Sequence, residues 1–495
     1  MNLKRIIFAS TAIFLLVAFK LLVLSLDSGE TIVTGNLEVE KGGTLFYIAH
    51  VPHGGGPKPL SILMHGFGGS SEMMEIMAHE LANNGILAIA YDTRGHGKSG
   101  LYLPGDQTDI YNDFLKMVDL ALEYDAKTDE IALVGHSMGA GFAQAIARND
   151  SRIRCLALLG ALPSSDYLDK DSRVNVLVVN GENDEITSVE TGFNAFKNIT
   201  GIENPAVGKT YGSFDDNTAR EFYVSSVNDH LTVLYSGDSV QKVVGWVAQF
   251  YRIQELSFSN ELRLGFYALT SILAYVTIFP LVGVIRDKLE TREEHVLEPL
   301  KLSRIVPVYL VASFVAAPVA LLLQLLLMRL TPLFVSNFLL ALFYSQIPAI
   351  YLALYAYKRA TGKGLRDLLR AHLLRDRIYL RVAYALIVSA IVYFMYYVAL
   401  QQFLNVEIAA FRLGFTSILA ALLIPYTVFN ETFFRAVLGT LRRGIIYDAL
   451  LSASLRISSL LIFYITLSIM SAGAMGMVGY LSIIIYMTAL IQLTF

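Results

Sequence analysis

Cysteine is nearly missing from this chain: its 495 residues include only Cys155. One thiol excludes an intrachain disulfide framework and a cysteine-rich zinc centre. Within the apolar string IRCLALLG it reads as a small core residue. Charge is scarce as well. Asp, Glu, Lys and Arg make up 16% of the residues and the formal net charge is −3, so there is no basic field for nucleic acid.

Apolar residues fill the gap, at 54% of the chain with a mean hydropathy of +0.51. That is too apolar for a water-soluble protein of this length and predicts membrane spans. Residues 6–26 form one hydrophobic stretch behind Lys4 and Arg5, long enough to cross about 30 Å of hydrocarbon. The reading favours an uncleaved signal anchor over residues 1–30. The rival is a signal peptide processed near SLDSG, but the apolar run is long for one. Residues 31–255 have ordinary soluble composition, and 256–495 return to membrane composition. About seven further spans are expected there, at 262–285, 305–328, 333–357, 379–400, 412–434, 457–473 and 475–495.

Positive charge orients them. The segments 286–304, 358–381 and 435–456 hold clusters of Lys and Arg, whereas the opposite short loops carry Arg329 and Arg412. By the positive-inside rule both termini are cytoplasmic and the soluble domain is extracytoplasmic. Segment 358–381 also places Leu365, Leu368, Leu369, Leu373 and Leu374 on one helical face among arginines. It reads either as an interfacial helix on anionic headgroups or as a plain basic connector. NDS at 149–151 and NIT at 198–200 are possible glycosylation acceptors.

Between 31 and 255, apolar β-rich runs at 44–49, 60–64, 86–91, 130–134, 153–159, 174–180 and 219–227 alternate with helical stretches. This predicts an α/β domain with a doubly wound, mostly parallel sheet, followed by an all-α polytopic membrane domain. Ligand sites in such sheets lie beyond the carboxyl ends of the strands. The polar and glycine-rich strings HGFGG (65–69), DTRGHGKS (92–99), GHSMG (135–139), GEND (181–184) and NDH (228–230) all fall there.

GHSMG carries the chemistry. Ser137 sits between Gly135 and Gly139, after a strand and before a helix, as a nucleophile on a strained strand-to-helix elbow requires. Its hydroxyl needs an imidazole to take its proton. Only His230, His295 and His372 follow it, and the last two lie in cytoplasmic segments, so His230 is the expected base. Asp184 in VVNGENDEI is the expected acid, with Glu182 and Glu185 as rivals. Asp229 adjoins the base but is expected to point away from it. The amides of Met138 and Phe67 are the expected oxyanion donors.

With these residues in order, 31–255 resembles the α/β-hydrolase superfamily, in particular its serine aminopeptidase and monoacylglycerol-lipase-like branch. The matching strings are HGFGG, YDTRGHGKS, GHSMGAG, GENDEI and DHLT. The resemblance implies Ser137, Asp184 and His230 as the triad, Phe67 and Met138 as oxyanion donors, and no cofactor or metal. It leaves only residues 160–173 where relatives insert a cap, so no large cap domain is expected. The implied activity is hydrolysis of an ester, lipid-like in first place, with membrane lipids as surroundings. Peptide hydrolysis is the runner-up, and a non-catalytic transporter or scaffold is the reading from another class. The layout of anchor, exterior hydrolase and multi-span tail is also similar to GPI inositol-deacylases.

A second polar group falls in a span. Asn430, Glu431 and Arg435 in VFNETFFRAVL form a candidate intramembrane site, against the plainer reading of an i, i+4 ion pair. The string weakly resembles the Glu-Glu-x-x-x-Arg motif of intramembrane CAAX-type proteases, with Asn430 replacing the first Glu. No histidine follows His372 to complete such a site.

Overall fold

The computed structural model describes residues 3–26, 29–39, 43–100, 106–289, 302–327, 334–372, 378–401 and 413–437, with scattered positions in 403–407 and 451–462. It divides into two compact units, one of residues 1–288 with 387–409 and one of 289–386 with 410–495.

An eight-stranded sheet forms the centre of the first unit. Its strands are β1 (Glu30–Val39), β2 (Gly43–Pro52), β3 (Lys58–Met64), β4 (Leu87–Tyr91), β5 (Ala126–His136), β6 (Ile153–Leu159), β7 (Asn175–Gly181) and β8 (Arg220–Ser225). Their order is β1-β2-β4-β3-β5-β6-β7-β8, antiparallel at β1–β2 and β2–β4 and parallel from β4 onward. Sequence reading missed β1 altogether. Its apolar residues come singly or in pairs among Thr, Gly and Asn, because this edge strand buries only part of its length.

The continuous apolar strands split their side chains between two layers. On β5, Ile131 and Leu133 face one core and Ala132 and Val134 the other; on β7, Val176 and Val178 alternate with Leu177 and Val179. The first core holds Phe114 and Met117 of α3 (Gln107–Leu122), Ile146 of α4 (Met138–Asn149) and Phe196 of α5 (Val189–Thr200). The second holds Met77 and Leu81 of α2 (Glu75–Asn83) with Val240, Val243 and Val247 of α6 (Gly237–Phe250). Helices thus cover both faces, which is why these strands lack hydrophobic–polar alternation. Cys155 is buried in the second core.

Register sets the site. Met64 pairs with Tyr91 and with Gly135, and Gly135 pairs with Leu158. The carboxyl ends of β3 to β6 are therefore level, and His65, Asp92, Ser137 and Gly160 leave the sheet along one edge. Two of the loops are braced by Asp92. Its carboxylate accepts from the amides of Ser71 and Lys98, both at 2.6 Å, and Gly97 (φ +48°) lies where a Cβ would strike that carboxylate. Arg94 ties the same loop to α3 by a two-pronged contact with Asp113, both bonds 2.7 Å.

The first unit also contains α1 (Leu3–Leu26), α7 (Asn260–Leu289) but for its last residue, and the end of α13 (Ile378–Leu400). Leu16, Ala274, Ile278, Met395 and Ala399 pack together, and Val23 and Tyr267 join the second core of the sheet. That packing is why the compact unit does not follow the sequence boundaries at 30/31 and 255/256.

The second unit contains α8 (Leu302–Ser313), α9 (Ala316–Leu327), α10 (Phe334–Ser345), α11 (Ile347–Thr361), α12 (Leu365–His372) and α14 (Leu413–Glu431), which runs into a π turn, Thr432–Val437. Tyr309, Tyr357, Leu368 and Phe433 form its core. Leu368 of α12 is thereby turned onto protein rather than outward. Among the described residues four helices are long and apolar enough to cross a membrane: Ile7–Leu26, Asn260–Ile278, Leu340–Thr361 and Val382–Leu400. Counting Val306–Ser313 with Pro318–Leu327, bent by 49°, as one span makes five. The expected spans 457–473 and 475–495 lie almost wholly outside the described residues.

Candidate active site

Ser137 caps β5 and precedes α4 with φ 51° and ψ −113°, a conformation an L-residue adopts only under strain. Neighbouring glycines make the turn possible. A Cβ on Gly135 would lie 2.5 Å from the Ala140 backbone, and one on Gly139 would strike the carbonyl of Met64. Strand and helix approach so closely that no side chain fits between them.

Three expected residues meet there. His230 Nε2 lies 3.0 Å from Ser137 Oγ, and His230 Nδ1 lies 2.9 Å from Asp184 Oδ2 and 3.1 Å from Oδ1. Asp184 and His230 are buried, whereas Ser137 is half-buried, so the serine is the member facing outward. The Asp184 carboxylate is fixed by the amides of Ile186 (2.9 Å) and Thr187 (2.6 Å). The rival acids point elsewhere. Glu182 accepts from the Val227 amide, Glu185 is exposed, and Asp229 caps its own turn through the amides of Leu231 and Thr232.

Met138 occupies the first position of α4, where helix geometry gives its amide no intrahelical acceptor. The turn carrying Phe67 lies against the elbow: a Cβ on Gly66 would sit 3.2 Å from Ser137 Cβ and 2.7 Å from His136 Nδ1. His65 holds that turn. Its Nε2 accepts from the Thr93 amide at 3.1 Å, and its Nδ1–H donates to the Gly66 carbonyl at 2.7 Å. Burial lowers its pKa to about 4, so the ring stays neutral and keeps this tautomer.

Two residues escaped sequence reasoning. His136 donates from Nε2 to the backbone carbonyl of His230 at 2.8 Å, and burial, with the nearby His230, lowers its pKa to about 3. Gly160 (φ +53°) passes so near the base that a Cβ there would lie 3.1 Å from His230 Nδ1. Motif reading treats His136 as a variable position beside the nucleophile, and nothing in the sequence marks Gly160. A separate cavity of about 640 Å³ on the α4 flank is lined by residues including Arg148, Arg154 and Asp166, and by none of the three.

Of the second candidate site, Asn430 lies at the end of α14, and the side chains of Glu431 and Arg435 are outside the described residues. The π turn that follows Glu431 is the kind of helix irregularity often found at functional positions.

This sheet order and elbow are those of the α/β-hydrolase fold, which residues 30–250 adopt. Within it, residues 55–168 match the family described as serine aminopeptidase, S33. The chain is similar to a serine hydrolase-like protein of Dictyostelium discoideum, 36% identical over 115 residues, which are 22% of this chain and 31% of that protein. It is also similar to the non-heme chloroperoxidase CPO-A1 of Kitasatospora aureofaciens, 32% identical over 104 residues, covering 21% of this chain and 36% of that one. The monoacylglycerol lipase of Mycolicibacterium smegmatis is 32% identical over 126 residues, 25% of this chain and 44% of the lipase. The chain thus spans less than half the length of the curated relatives it matches.

Proposed function

We propose that the chain is a membrane-bound serine hydrolase that cleaves a lipid-like ester through an acyl-enzyme on Ser137. The observation that carries this reading is the continuous hydrogen-bonded line from Asp184 through His230 to the Ser137 hydroxyl, 2.9 and 3.0 Å long. His230 Nε2 takes the hydroxyl proton as Oγ attacks the ester carbonyl carbon. Asp184 holds the Nδ1–H tautomer and stabilises the imidazolium. The Met138 and Phe67 amides receive the oxyanion. His230 then passes its proton to the leaving alkoxide, and water releases the acid by the same steps in reverse order. The chemistry of Ser137 calls for no metal or cofactor.

A lipid-like substrate is favoured by what borders the site. The loops beside the triad expose Leu162 and Val227, the latter 82% exposed three residues before His230, and only a short loop stands where a cap would be. Exposed apolar side chains on these loops suit an acyl chain or a bilayer surface. In this reading α1 and the helices after residue 260 anchor the domain, the hydrolase is extracytoplasmic, and the termini are cytoplasmic. Peptide hydrolysis is the second reading, favoured by the family description that residues 55–168 match. A fluorophosphonate probe and parallel panels of long-chain esters, thioesters and peptides test both. Labelling of wild type but not Ser137→Ala, with turnover of esters, is the expected result. Labelling that persists in Ser137→Ala, or a solute-binding activity indifferent to that change, would sink the enzyme reading.

A further inference from the structure

A second histidine–carboxylate cluster lies sealed away from the triad. Glu30 opens β1, His50 lies on β2 and His79 on α2, and the side chains of Glu30 and His50 are wholly inaccessible, that of His79 nearly so. Ile32 stands opposite His50 in the antiparallel register, which puts Glu30 and His50 diagonally on one face. One carboxylate bridges both rings: Oε2 lies 3.0 Å from His50 Nδ1, and Oε1 touches His79 Nδ1. A donor atom from each of the three residues lies within 4.8 Å of the other two.

The group presents the donor atoms that a cation requires. A neutral imidazole has one N–H. His79 faces Glu30 at Nδ1 and has the Glu75 carboxylate 3.9 Å from Nε2, so carboxylates stand on both sides of its ring. His50 Nε2 is buried with no hydrogen-bond partner, leaving Nδ1 as that ring's polar anchor. A cation on the Nδ1 side fits between the Glu30 carboxylate and the two rings. It takes the lone pair of His79 Nδ1 and sends the ring proton to Nε2, toward Glu75, as metal-bound histidines commonly direct theirs to a carboxylate. The Glu30 carboxylate between the two rings gives a dication a charge-balancing ligand.

We propose that Glu30, His50 and His79 bind a divalent transition metal, zinc before others. Two imidazoles and one carboxylate are a zinc donor set, and too poor in oxygen for calcium or magnesium. Ligands at about 2.0–2.1 Å in a tetrahedron stand about 3.3 Å apart, so the widest separation here closes by at most about 1.5 Å. The ion is structural. It joins β1, β2 and α2, and Glu80 of α2 accepts from both the amide and the hydroxyl of Ser259 just ahead of α7, fastening that helix to the sheet edge.

The test uses full-length protein in detergent, stripped with a chelator, dialysed, and reloaded with Zn²⁺ or Co²⁺. One bound equivalent is expected, with visible cobalt absorption typical of a four-coordinate site. Zinc X-ray absorption should show a nitrogen/oxygen shell with imidazole scattering. Retained metal should fall at least tenfold in Glu30→Gln and in His79→Gln but not in His53→Ala, whose exposed ring bonds Thr31. No bound equivalent in wild type, a shell without imidazole scattering, or equal retention in His79→Gln overturns the proposal and leaves a hydrogen-bonded carboxylate bridge. The X-ray measurement needs no variant, so it decides the matter even if a variant misfolds.

Discussion

One domain holds two assemblies of carboxylate and imidazole, and they are arranged for opposite ends. At the sheet's carboxyl edge Asp184 grips one nitrogen of His230 and leaves the other against a half-buried hydroxyl. At the β1–β2 edge Glu30 grips two rings at once, and the whole group is closed from solvent. The chemical parts are alike. What separates the two is whether the second nitrogen of the ring meets a hydroxyl at an opening or stays sealed inside the fold.

The sharpest way to break that contrast is to remove the hydroxyl. Ser137→Ala should lower turnover by about 10⁴–10⁶-fold and abolish fluorophosphonate labelling, while melting temperature changes little. Next in size is the exchange of carboxylate for amide at each assembly. Asp184→Asn keeps an oxygen for the amides of Ile186 and Thr187, but its NH₂ opposes the Nδ1–H of His230 and favours the wrong tautomer. A loss of about 10⁴-fold in kcat is expected, read by steady-state kinetics. Glu30→Gln removes the carboxylate shared by two buried rings and should cost about 1–3 kcal/mol, read by denaturant unfolding. Equal kinetic effects of the two exchanges would erase the distinction between the assemblies.

Smaller again is the effect of acid. Burial holds the pKa of His65 at about 4 and of His136 at about 3, both below the ordinary 6.5. Between pH 6.5 and about 4 the unfolded chain binds protons that these folded rings refuse. Stability is therefore complete above 6.5 and falls with pH, by up to about 1.4 kcal/mol per pH unit for each ring. Melting curves from pH 7.5 to 4.5 check this. A stability independent of pH across that window would mean the two rings are charged or exposed.

The contrast between the assemblies also explains what the sequence disclosed. Ser137, Asp184 and His230 were legible because each follows an apolar strand, and a parallel sheet brings strand ends together whatever their separation in sequence. The HGFGG and DTRGHGKS strings were legible for the same reason. His50 and His79 stand 20 and 49 positions from Glu30 without a motif, and Glu30 belongs to a strand whose apolar pattern is sparse. Their meeting depends on an antiparallel edge pairing that only three-dimensional packing reveals. His136 was hidden differently: it lies inside the motif, at a position the chemistry does not prescribe.

His136 therefore gives the finest test of the triad's surroundings. Its Nε2–H holds the main-chain carbonyl of His230, so it acts on the base through the backbone and touches no reacting atom. His136→Leu removes that donor and frees the loop before α6 to shift by a fraction of an ångström. An error of that size at a general base lowers proton-transfer efficiency without altering how substrate is held, so kcat should fall about tenfold with KM unchanged. His136→Gln restores an N–H of similar reach and should recover most of the rate. A purely packing role predicts the reverse order, because Leu suits a buried apolar gap better than Gln does. Rates for the two variants at equal folded fraction distinguish these accounts.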